Sequence, residues 1–352
     1  MSARAKTALL QLAASAAAVA LAFLTGALIM LLVGVNPLAV YSALFEGVLL
    51  NPYGLAQIIF KSTPLMLTGL SVAFAFRAGL FNIGAEGQMI MGGCCCALAG
   101  FSLKGLPWLI HAPLCIIAAM AGGMLWAALP GYLKAKRGAH EVITTIMMNF
   151  IAAALTNYFV MARFHEPETV HTASIMPSAF LPRLAALSSF FKGSPANAAF
   201  FIGLAACALA GWLLWKTALG YEIRAVGLSP DAAAVSGISV ARKTMSAFLI
   251  AGALAGLASV NFVMGYKHYF EEDFTGGAGF MGIAVALVGQ NNPAGVLAAA
   301  LLFGALSHGT LVINALVPKD IVLILQALLI IFVITFDGIA RRYAAANFGE
   351  KA

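Results

Sequence analysis

The chain has 352 residues, of which 62% are hydrophobic and only 9% are charged, and its formal net charge is +7. This composition excludes a soluble globular domain, because several apolar runs reach the roughly 20 residues that a helix needs to cross a bilayer. The excess of lysine and arginine does not indicate a nucleic-acid-binding protein, since these residues lie at the ends of apolar runs, where they set membrane topology. We therefore expect an all-α polytopic protein surrounded by membrane lipid, with no nucleic acid polymer as a partner.

About ten apolar segments are predicted to be transmembrane helices of one domain covering residues 1–352. In chain order they are 8–35, 55–76, 83–101, 108–132, 141–162, 198–215, 244–264, 280–290, 294–315 and 321–338. The first is too long for the apolar part of a cleavable signal peptide, so we interpret it as a retained span. The eighth is too short to cross the bilayer alone, which indicates a half-helix or a re-entrant segment.

The basic residues predict the orientation of these spans. With the N-terminus in the cytoplasm, the cytoplasmic segments hold Arg4, Lys6, Arg77, Lys134, Lys136, Arg137, Lys216, Arg224, Arg242, Lys243, Arg341, Arg342 and Lys351. The opposite side holds Lys104, Arg163, Arg183, Lys192, Lys267 and Lys319, and Lys61 lies in the second span. Both termini are therefore predicted to be cytoplasmic.

Two segments on the opposite side are long enough to have structure of their own. Residues 36–54 could form an amphipathic interfacial helix. Residues 163–197 form the longest connection, and a connection of this length is usually functional or disordered. It could receive a protein that delivers substrate, and a tolerated surface loop is the alternative.

The first strong polar signal is the stretch Arg77–Gln88, which follows the second span directly. Its glycines loosen the backbone and predict a broken helix, whose unpaired N–H and C=O groups must be satisfied by protein or by a water-filled cavity. Asn82, Glu86 and Gln88 are therefore candidate residues of a substrate pathway. A structural role is the alternative, since Glu86 at a helix start also suits the helix dipole.

Two later stretches add further candidates for the pathway. Asn149 lies inside the fifth span, where a role in the pathway and interhelical hydrogen bonding are both open. Gln290 begins the sequence Gln-Asn-Asn-Pro, which breaks the chain after the short eighth span. His140 and Glu141 do not form a zinc-protease motif, because Thr144 stands where the second histidine is required.

Residues Leu219–Thr244 form a polar segment between two long apolar runs. Ser229 can cap a helix, Pro230 is tolerated at its first position and Asp231 suits its positive end. Gly237 is a natural stop. The pattern predicts a short helix, residues 230–236, with a face of small residues that comprises Ala232, Ala233 and Ala234. Such a face favours a docking surface for another protein, and an ordered connector is the alternative.

A weak internal repeat relates the two halves of the chain. Residues 78–84 and 278–284 share the pattern A-G-[LF]-x-x-I-[GA]. The first copy is predicted at the cytoplasmic side and the second at the opposite side, as in inverted-repeat transporters. The first half would be 55–162, and the second 244–338. Span 198–215 would link the first half to the polar loop at 216–243.

Several functional classes lack their signatures. No phosphate-binding loop of the form GxxxxGK[ST] is present, and no chain of carboxylates crosses the membrane for proton coupling. The five cysteines, three of them adjacent at Cys94–Cys96, have no metal-ligand spacing and are interpreted as buried apolar residues. We therefore predict no catalytic residue and no metal site, and an ion-coupled transporter or an intramembrane enzyme is disfavoured.

Four blocks, taken together, resemble one known family. They are FRAGLFNIGAEGQ (76–88), HEVITTIMMNFIA (140–152), GYEIRAVGLSPDAAAVSGIS (220–239) and GFMGIAVALVGQNNPAGVLAAALLFGAL (279–306). They resemble permease subunits of bacterial ATP-binding-cassette importers for branched-chain amino acids, ribose and nucleosides, and most closely the nucleoside branch that depends on basic membrane lipoproteins. His140 and Ser229 stand where this family commonly has asparagine.

The resemblance implies a type II-like importer permease with an inverted repeat in the bacterial cytoplasmic membrane. The polar segment would be a coupling loop, its candidate residues being Glu222, Arg224, Gly227, Ser229, Pro230, Asp231, Ala233, Ala234 and Gly237. The implied partners are an ATPase that binds ATP and Mg²⁺, a second permease subunit that is the same or different, and an extracytoplasmic binding protein. This chain would hold no cofactor. Its substrate would be a nucleoside, with a simple sugar or a branched-chain amino acid as the alternative.

Overall fold

A computed structural model describes residues 3–314 and 316–348, and most of these residues are helical. The described α-helices are α1 (Ala3–Leu32), α2 (Pro37–Val48), α3 (Pro52–Arg77), α4 (Ala85–Ser102), α5 (Trp108–Arg137), α6 (Glu141–Phe159), α7 (Ala199–Lys216), α8 (Ala218–Leu228), α9 (Pro230–Val235), α10 (Val240–Ala258), α11 (Val260–Val263), α12 (Ala278–Val288), α13 (Pro293–Ile313) and α14 (Lys319–Phe348). Over these two ranges the pairing between strands is limited to isolated bridges. The predicted all-α fold is confirmed.

Each predicted span overlaps with at least one of these helices. In the described part of the chain, 7 helices are long and apolar enough to cross a membrane. They are Pro52–Arg77, Trp108–Arg137, Glu141–Phe164, Ala199–Lys216, Val240–Val263, Pro293–Ile313 and Asp320–Ala340. Helix α12 is short, as predicted for the eighth segment. The number of crossings and the orientation stay predictions, and Lys351, which contributes to the predicted orientation, lies outside the described residues.

The described residues form two compact units. One unit contains residues 1–55 and 305–352, in which α1 packs along α14. The helix expected in 36–54 is present there as α2, and its location at the membrane interface stays a prediction. The Tyr41 hydroxyl of α2 donates to the carbonyl of Phe23 at 2.6 Å. The other unit contains residues 56–304 and holds every candidate functional residue.

Small residues set the packing of α4, α5 and α10 in this larger unit. A Cβ atom added at Gly256 would lie 2.3 Å from the carbonyl oxygen of Ala119, and one added at Gly252 would lie 2.4 Å from that of Gly123. Real Cβ atoms do not approach so closely, so α5 and α10 pack backbone against backbone. Close approach through small residues is the usual basis of helix association in membranes.

The long connection 163–197 is ordered in the structure. The backbone N–H of Thr172 donates to the carbonyl of Phe270 at 2.9 Å, and the ring of Phe180 stacks on that of His268 with centroids 3.7 Å apart. The connection therefore packs against the segment that follows α11. A role in receiving a substrate-delivering protein stays a prediction.

We expect Gly256→Leu to lower the thermal stability of the purified protein in detergent, because overpacking of this kind costs about 1–3 kcal/mol. The measurement is the unfolding temperature by a fluorescence or scattering assay. Gly211→Ala is the matched control, since its Cβ would lie 3.9 Å from Cγ of Pro293, an ordinary contact distance. Equal unfolding temperatures for the two variants would show that α5 and α10 do not pack as described.

Candidate functional site

The candidate pathway residues surround a break between α3 and α4. Helix α3 ends at Arg77 and α4 begins at Ala85, and the residues between them are not helical. Gly79 has a φ of +71°, a conformation that residues with a Cβ rarely adopt. The broken helix predicted from the sequence is therefore present. Its backbone groups need partners, because lipid offers none.

Two buried side-chain amides close part of this break. Nδ2 of Asn82 donates to Oε1 of Gln88 at 3.0 Å, and Nε2 of Gln88 donates back to Oδ1 of Asn82 at 3.0 Å. The same Asn82 oxygen accepts from the backbone N–H of Gly84 at 3.1 Å, and its nitrogen donates to the Ser71 hydroxyl at 3.3 Å. Asn82 thus uses both N–H groups and both acceptor positions inside the protein.

Asn149 of α6 joins the break to the neighbouring helix. Its Oδ1 accepts from the backbone N–H of Gly87 at 2.9 Å, and its Nδ2 donates to the carbonyl of Ile83 at 3.0 Å. The structure therefore brings Asn82, Gln88 and Asn149 together: Asn82 and Asn149 bond to backbone groups at the break, and Gln88 holds the Asn82 amide in place. The interhelical bonding that was open for Asn149 is observed.

The carboxylate of Glu86 lies at the first turn of α12. Its Oε2 accepts from the backbone N–H of Gly279 at 2.7 Å, and its Oε1 accepts from the hydroxyl of Thr275. The hydroxyl of Thr68 in α3 donates to the carbonyl of Ala278 at 2.9 Å. A negative group beside the N-terminus of a helix is favourable, because free N–H groups and the helix dipole both attract it.

Arg77 lies at the other end of the same short helix. Its guanidinium donates to the carbonyl of Asn291 at 2.9 Å and to that of Gln290 at 3.3 Å. These two residues have φ values of +53° and +55°, and the left-handed turn carries the chain out of α12. Gln290 is therefore separated from Glu86 by the length of α12, about 16 Å for its 11 residues. The structure does not bring Gln290 together with the three amides.

Helix α12, which contains the second copy of the predicted repeat, contacts α4, which directly follows the first copy. A Cβ atom added at Gly279 would lie 2.4 Å from Cα of Glu86, so the first turns of α4 and α12 are in backbone contact. The location of the two copies at opposite sides of the membrane stays a prediction. The first copy consists of the non-helical residues 78–84. Helix α4 starts directly after them, beside the start of α12.

The polar segment contains two helices, α8 and α9. The Ser229 hydroxyl accepts from the backbone N–H of Ala232 at 3.3 Å, and Gly237 ends the turn with a φ of +82°. The predicted cap, helix and stop are confirmed, and α9 is one residue shorter than expected, ending at Val235. The sequence interpretation missed α8. Its signal was Thr217, whose hydroxyl caps the helix by accepting from the N–H of Gly220 at 3.1 Å.

The exposed face of the polar segment is apolar and differs from the predicted alanine face. Ala233 is 3% exposed, whereas Leu228 is 88% and Val235 is 91% exposed. Ala234 is exposed beside Val235. Ala233 therefore faces the protein itself, whereas Ala232 and Ala234 of the predicted face are exposed. The surface available to another protein includes Leu228, Ala234 and Val235. A groove of about 480 Å³ lies between α8 and α9, and of these three residues Leu228 is the one that lines it.

Charged residues hold the polar segment to α7 and α10. Arg224 lies over the ring of Trp215, with 4.3 Å between its guanidinium carbon and the ring centroid, and Arg77 lies 5.2 Å from the same centroid. Glu222 forms an ion pair with Lys243. Trp215 was not identified from the sequence, and its position just before the polar segment was the available signal. These contacts give Glu222 and Arg224 roles in positioning α8.

Gly227 connects the polar segment to the broken helix. A Cβ atom added at Gly227 would lie 2.3 Å from the carbonyl oxygen of Arg77 and 2.9 Å from the backbone nitrogen of Gly79. Helix α8 therefore touches the end of α3 through backbone atoms. The polar segment is therefore in direct contact with the start of the break.

Comparison with known proteins identifies the family of this chain. A family model described as "Branched-chain amino acid transport system / permease component" matches residues 54–334, which include the break, α12 and the polar segment. The chain belongs to this permease family. As a multi-pass permease it is a membrane protein. No solved structure gives a significant match.

Three relatives cover nearly the whole permease. The guanosine ABC transporter permease protein NupP of Bacillus subtilis is 41% identical over 90% of this chain and 91% of its own length. The nucleoside ABC transporter permease protein NupB of Lactococcus lactis is 36% identical over 90% of this chain and 88% of its own. The glucose ABC transporter permease protein TsgB13 of Haloferax volcanii is 32% identical over 94% of this chain and 89% of its own. The permease is therefore an ABC transporter subunit.

The reciprocal amide pair predicts a non-additive stability effect. Asn82→Leu or Gln88→Leu alone leaves the other amide buried with lost partners, at a cost of about 1–3 kcal/mol each. The double variant should lose less than the sum, because neither side-chain amide is then left buried without the other. Thermal unfolding in detergent measures all three variants, and Asn157→Leu, at a partly exposed site in α6, is the control. Additive losses would contradict the pairing.

Proposed function

We propose that this permease is the membrane subunit of an ATP-driven importer that moves nucleosides across the bacterial cytoplasmic membrane into the cell. The observation that carries the proposal is the similarity, over nine-tenths of the chain, to guanosine and nucleoside ABC transporter permeases. The FNIGAEGQ block, which surrounds the break, agrees with this substrate class. No covalent chemistry is assigned to the chain.

The contacts of Glu86 support an uncharged substrate. A helix N-terminus inside a membrane protein commonly attracts an anionic group of the substrate. At α12 this place is taken by the protein's own carboxylate, which accepts from Gly279. A nucleoside needs no anion site, whereas a nucleotide would need one.

The exposed apolar face of the polar segment supports an ATPase partner. Leu228 and Val235 are large apolar side chains that almost completely face solvent in this chain. Apolar patches of this kind are typical of contact sites for another protein. The ATPase would bind ATP and Mg²⁺, and its closure would move the polar segment. This assignment places the polar segment and both termini in the cytoplasm.

The remaining parts of the proposed importer follow from its family. An extracytoplasmic binding protein would deliver the nucleoside, and a second permease subunit, identical or different, would complete the pathway. The two permeases would alternate between outward-open and inward-open states. A sugar importer is the second candidate, because TsgB13 is a glucose permease by name.

Transport assays distinguish these candidates. In proteoliposomes that contain the permeases, the ATPase and the binding protein, we expect ATP-dependent uptake of labelled guanosine or another nucleoside. Unlabelled nucleosides should compete, and glucose, ribose and leucine should not. Omission of the ATPase should abolish uptake, which also tests whether this chain uses ATP by itself. Glucose uptake that nucleosides do not inhibit would assign the permease to sugars.

The docking face predicts a defect in ATPase binding for Ala234→Asp and Val235→Asp. A carboxylate buried without a partner in the contact costs several kcal/mol, and each 1.4 kcal/mol corresponds to about tenfold in affinity. We expect co-purification of the ATPase to fall at least about tenfold while the permease stays folded. Ala186→Asp, at an exposed alanine in the long connection, is the matched control.

Ala233→Asp should behave differently from both docking variants. Since Ala233 is buried against its own chain, the new carboxylate should first destabilise the polar segment itself. Proteolysis of that segment in the isolated permease measures this effect. If Ala234→Asp and Val235→Asp both bind the ATPase normally, the polar segment is not a contact site for the ATPase and only connects two helices.

A further inference from the structure

Helix α12 is held at both ends by opposite charges. The Glu86 carboxylate accepts from the N–H of Gly279 at its N-terminal end, at 2.7 Å. The Arg77 guanidinium donates to the carbonyls of Gln290 and Asn291 just beyond its C-terminal end, at 3.3 Å and 2.9 Å. Each charge has the sign that the helix dipole favours at that end. Both ends of α12 are therefore attached to the same segment, residues 77–86.

That segment contains the break between α3 and α4. Arg77 is the last residue of α3 and Glu86 is the second residue of α4. The amides of Asn82, Gln88 and Asn149 fill the break with hydrogen bonds and so give it a defined shape. Movement of α3's end relative to α4 would therefore shift or tilt α12.

The polar segment contacts the end of α3 through backbone atoms, so no side-chain rotamer change can relieve this contact. Gly227 of α8 lies against the backbone of Arg77 and Gly79, with room for no Cβ. Arg77 and Arg224 also lie over the same ring, that of Trp215. A displacement of α8 must therefore displace the residue that holds the C-terminal end of α12.

We propose that Arg77 and Glu86 are positioning residues that make α12 follow the polar segment, with Gly227 as the contact that transmits the movement. In this arrangement α12 is the element inside the membrane domain that responds to the ATPase. The inference rests on the proposed function for its driving partner, and it holds for any substrate. A purely structural clamp would stabilise the fold without linking α12 to ATP.

Hydrogen–deuterium exchange of the peptide covering 278–291 tests the proposal directly. In the complete importer, ATP with vanadate should change exchange in this peptide by comparison with the nucleotide-free state. Gly227→Ala should abolish that change while the ATPase still co-purifies. Gly211→Ala, whose Cβ meets only an ordinary contact, should keep it. An unchanged response in Gly227→Ala, or no response in the unmodified importer, overturns the proposal.

Coupling ratios give the second readout. Substrate moved per ATP hydrolysed should fall about fivefold or more in Gly227→Ala, in Glu86→Gln and in Arg77→Gln, a coupling loss in the usual range. Arg77→Lys keeps the positive charge and should restore much of the ratio. Equal ratios for Arg77→Lys and Arg77→Gln would overturn the role of charge. If Gly227→Ala does not fold, the comparison of Arg77→Lys with Arg77→Gln tests the proposal.

The same experiments separate this inference from the proposed function. An ATP-dependent exchange change at 278–291 without nucleoside uptake refutes the nucleoside substrate and leaves the link to α12 intact. Nucleoside uptake with an ATP-insensitive α12 refutes the link and leaves the substrate intact.

Discussion

The structure depends on how a membrane protein satisfies the backbone of an interrupted helix. Lipid supplies no hydrogen bonds, so each free N–H and C=O group at the break after α3 needs a partner from the protein. Asn82 and Asn149 supply such partners through buried amides, and Gln88 holds the Asn82 amide in place. Because the break is held in this way, the two charged residues on its flanks have fixed positions. They in turn fix the short helix α12.

The candidate functional elements of the larger unit are in contact with this break. The polar segment touches the end of α3 at Gly227, and α12 is attached to the two residues that flank the break. Glycine is required at the contact because the two backbones approach more closely than a Cβ permits. Helices α5 and α10 use the same principle at Gly252 and Gly256. Close packing therefore links the polar segment, which we propose as the ATPase contact, with the break after α3 through backbone atoms alone.

The polar segment shows what local sequence rules predict and where they stop. The cap at Ser229 and the stop at Gly237 depend only on neighbouring residues, and both were predicted. The direction in which Ala233 faces depends on the packing of α9 against α8, and the sequence interpretation placed it on the docking face. The exposed pair Leu228 and Val235 was missed for the same reason, since apolar residues in this chain are expected to be buried. The substrate class, in turn, was suggested by motif resemblance and supported by relatives.

The amino-acid sequence by itself determined the helical fold, the position of each apolar segment, the short α12 and the break before α4, because hydropathy, glycines and caps act locally. Only the tertiary structure decided that Glu86 binds the start of α12, that Arg77 binds its end and that Gly227 touches Arg77. These contacts join residues that lie up to about two hundred positions apart. Their formation depends on the angles and relative heights at which the helices pack against one another. The spacing of the polar residues in the sequence does not indicate these quantities. For that reason the contact between the first turns of α4 and α12 was not predicted.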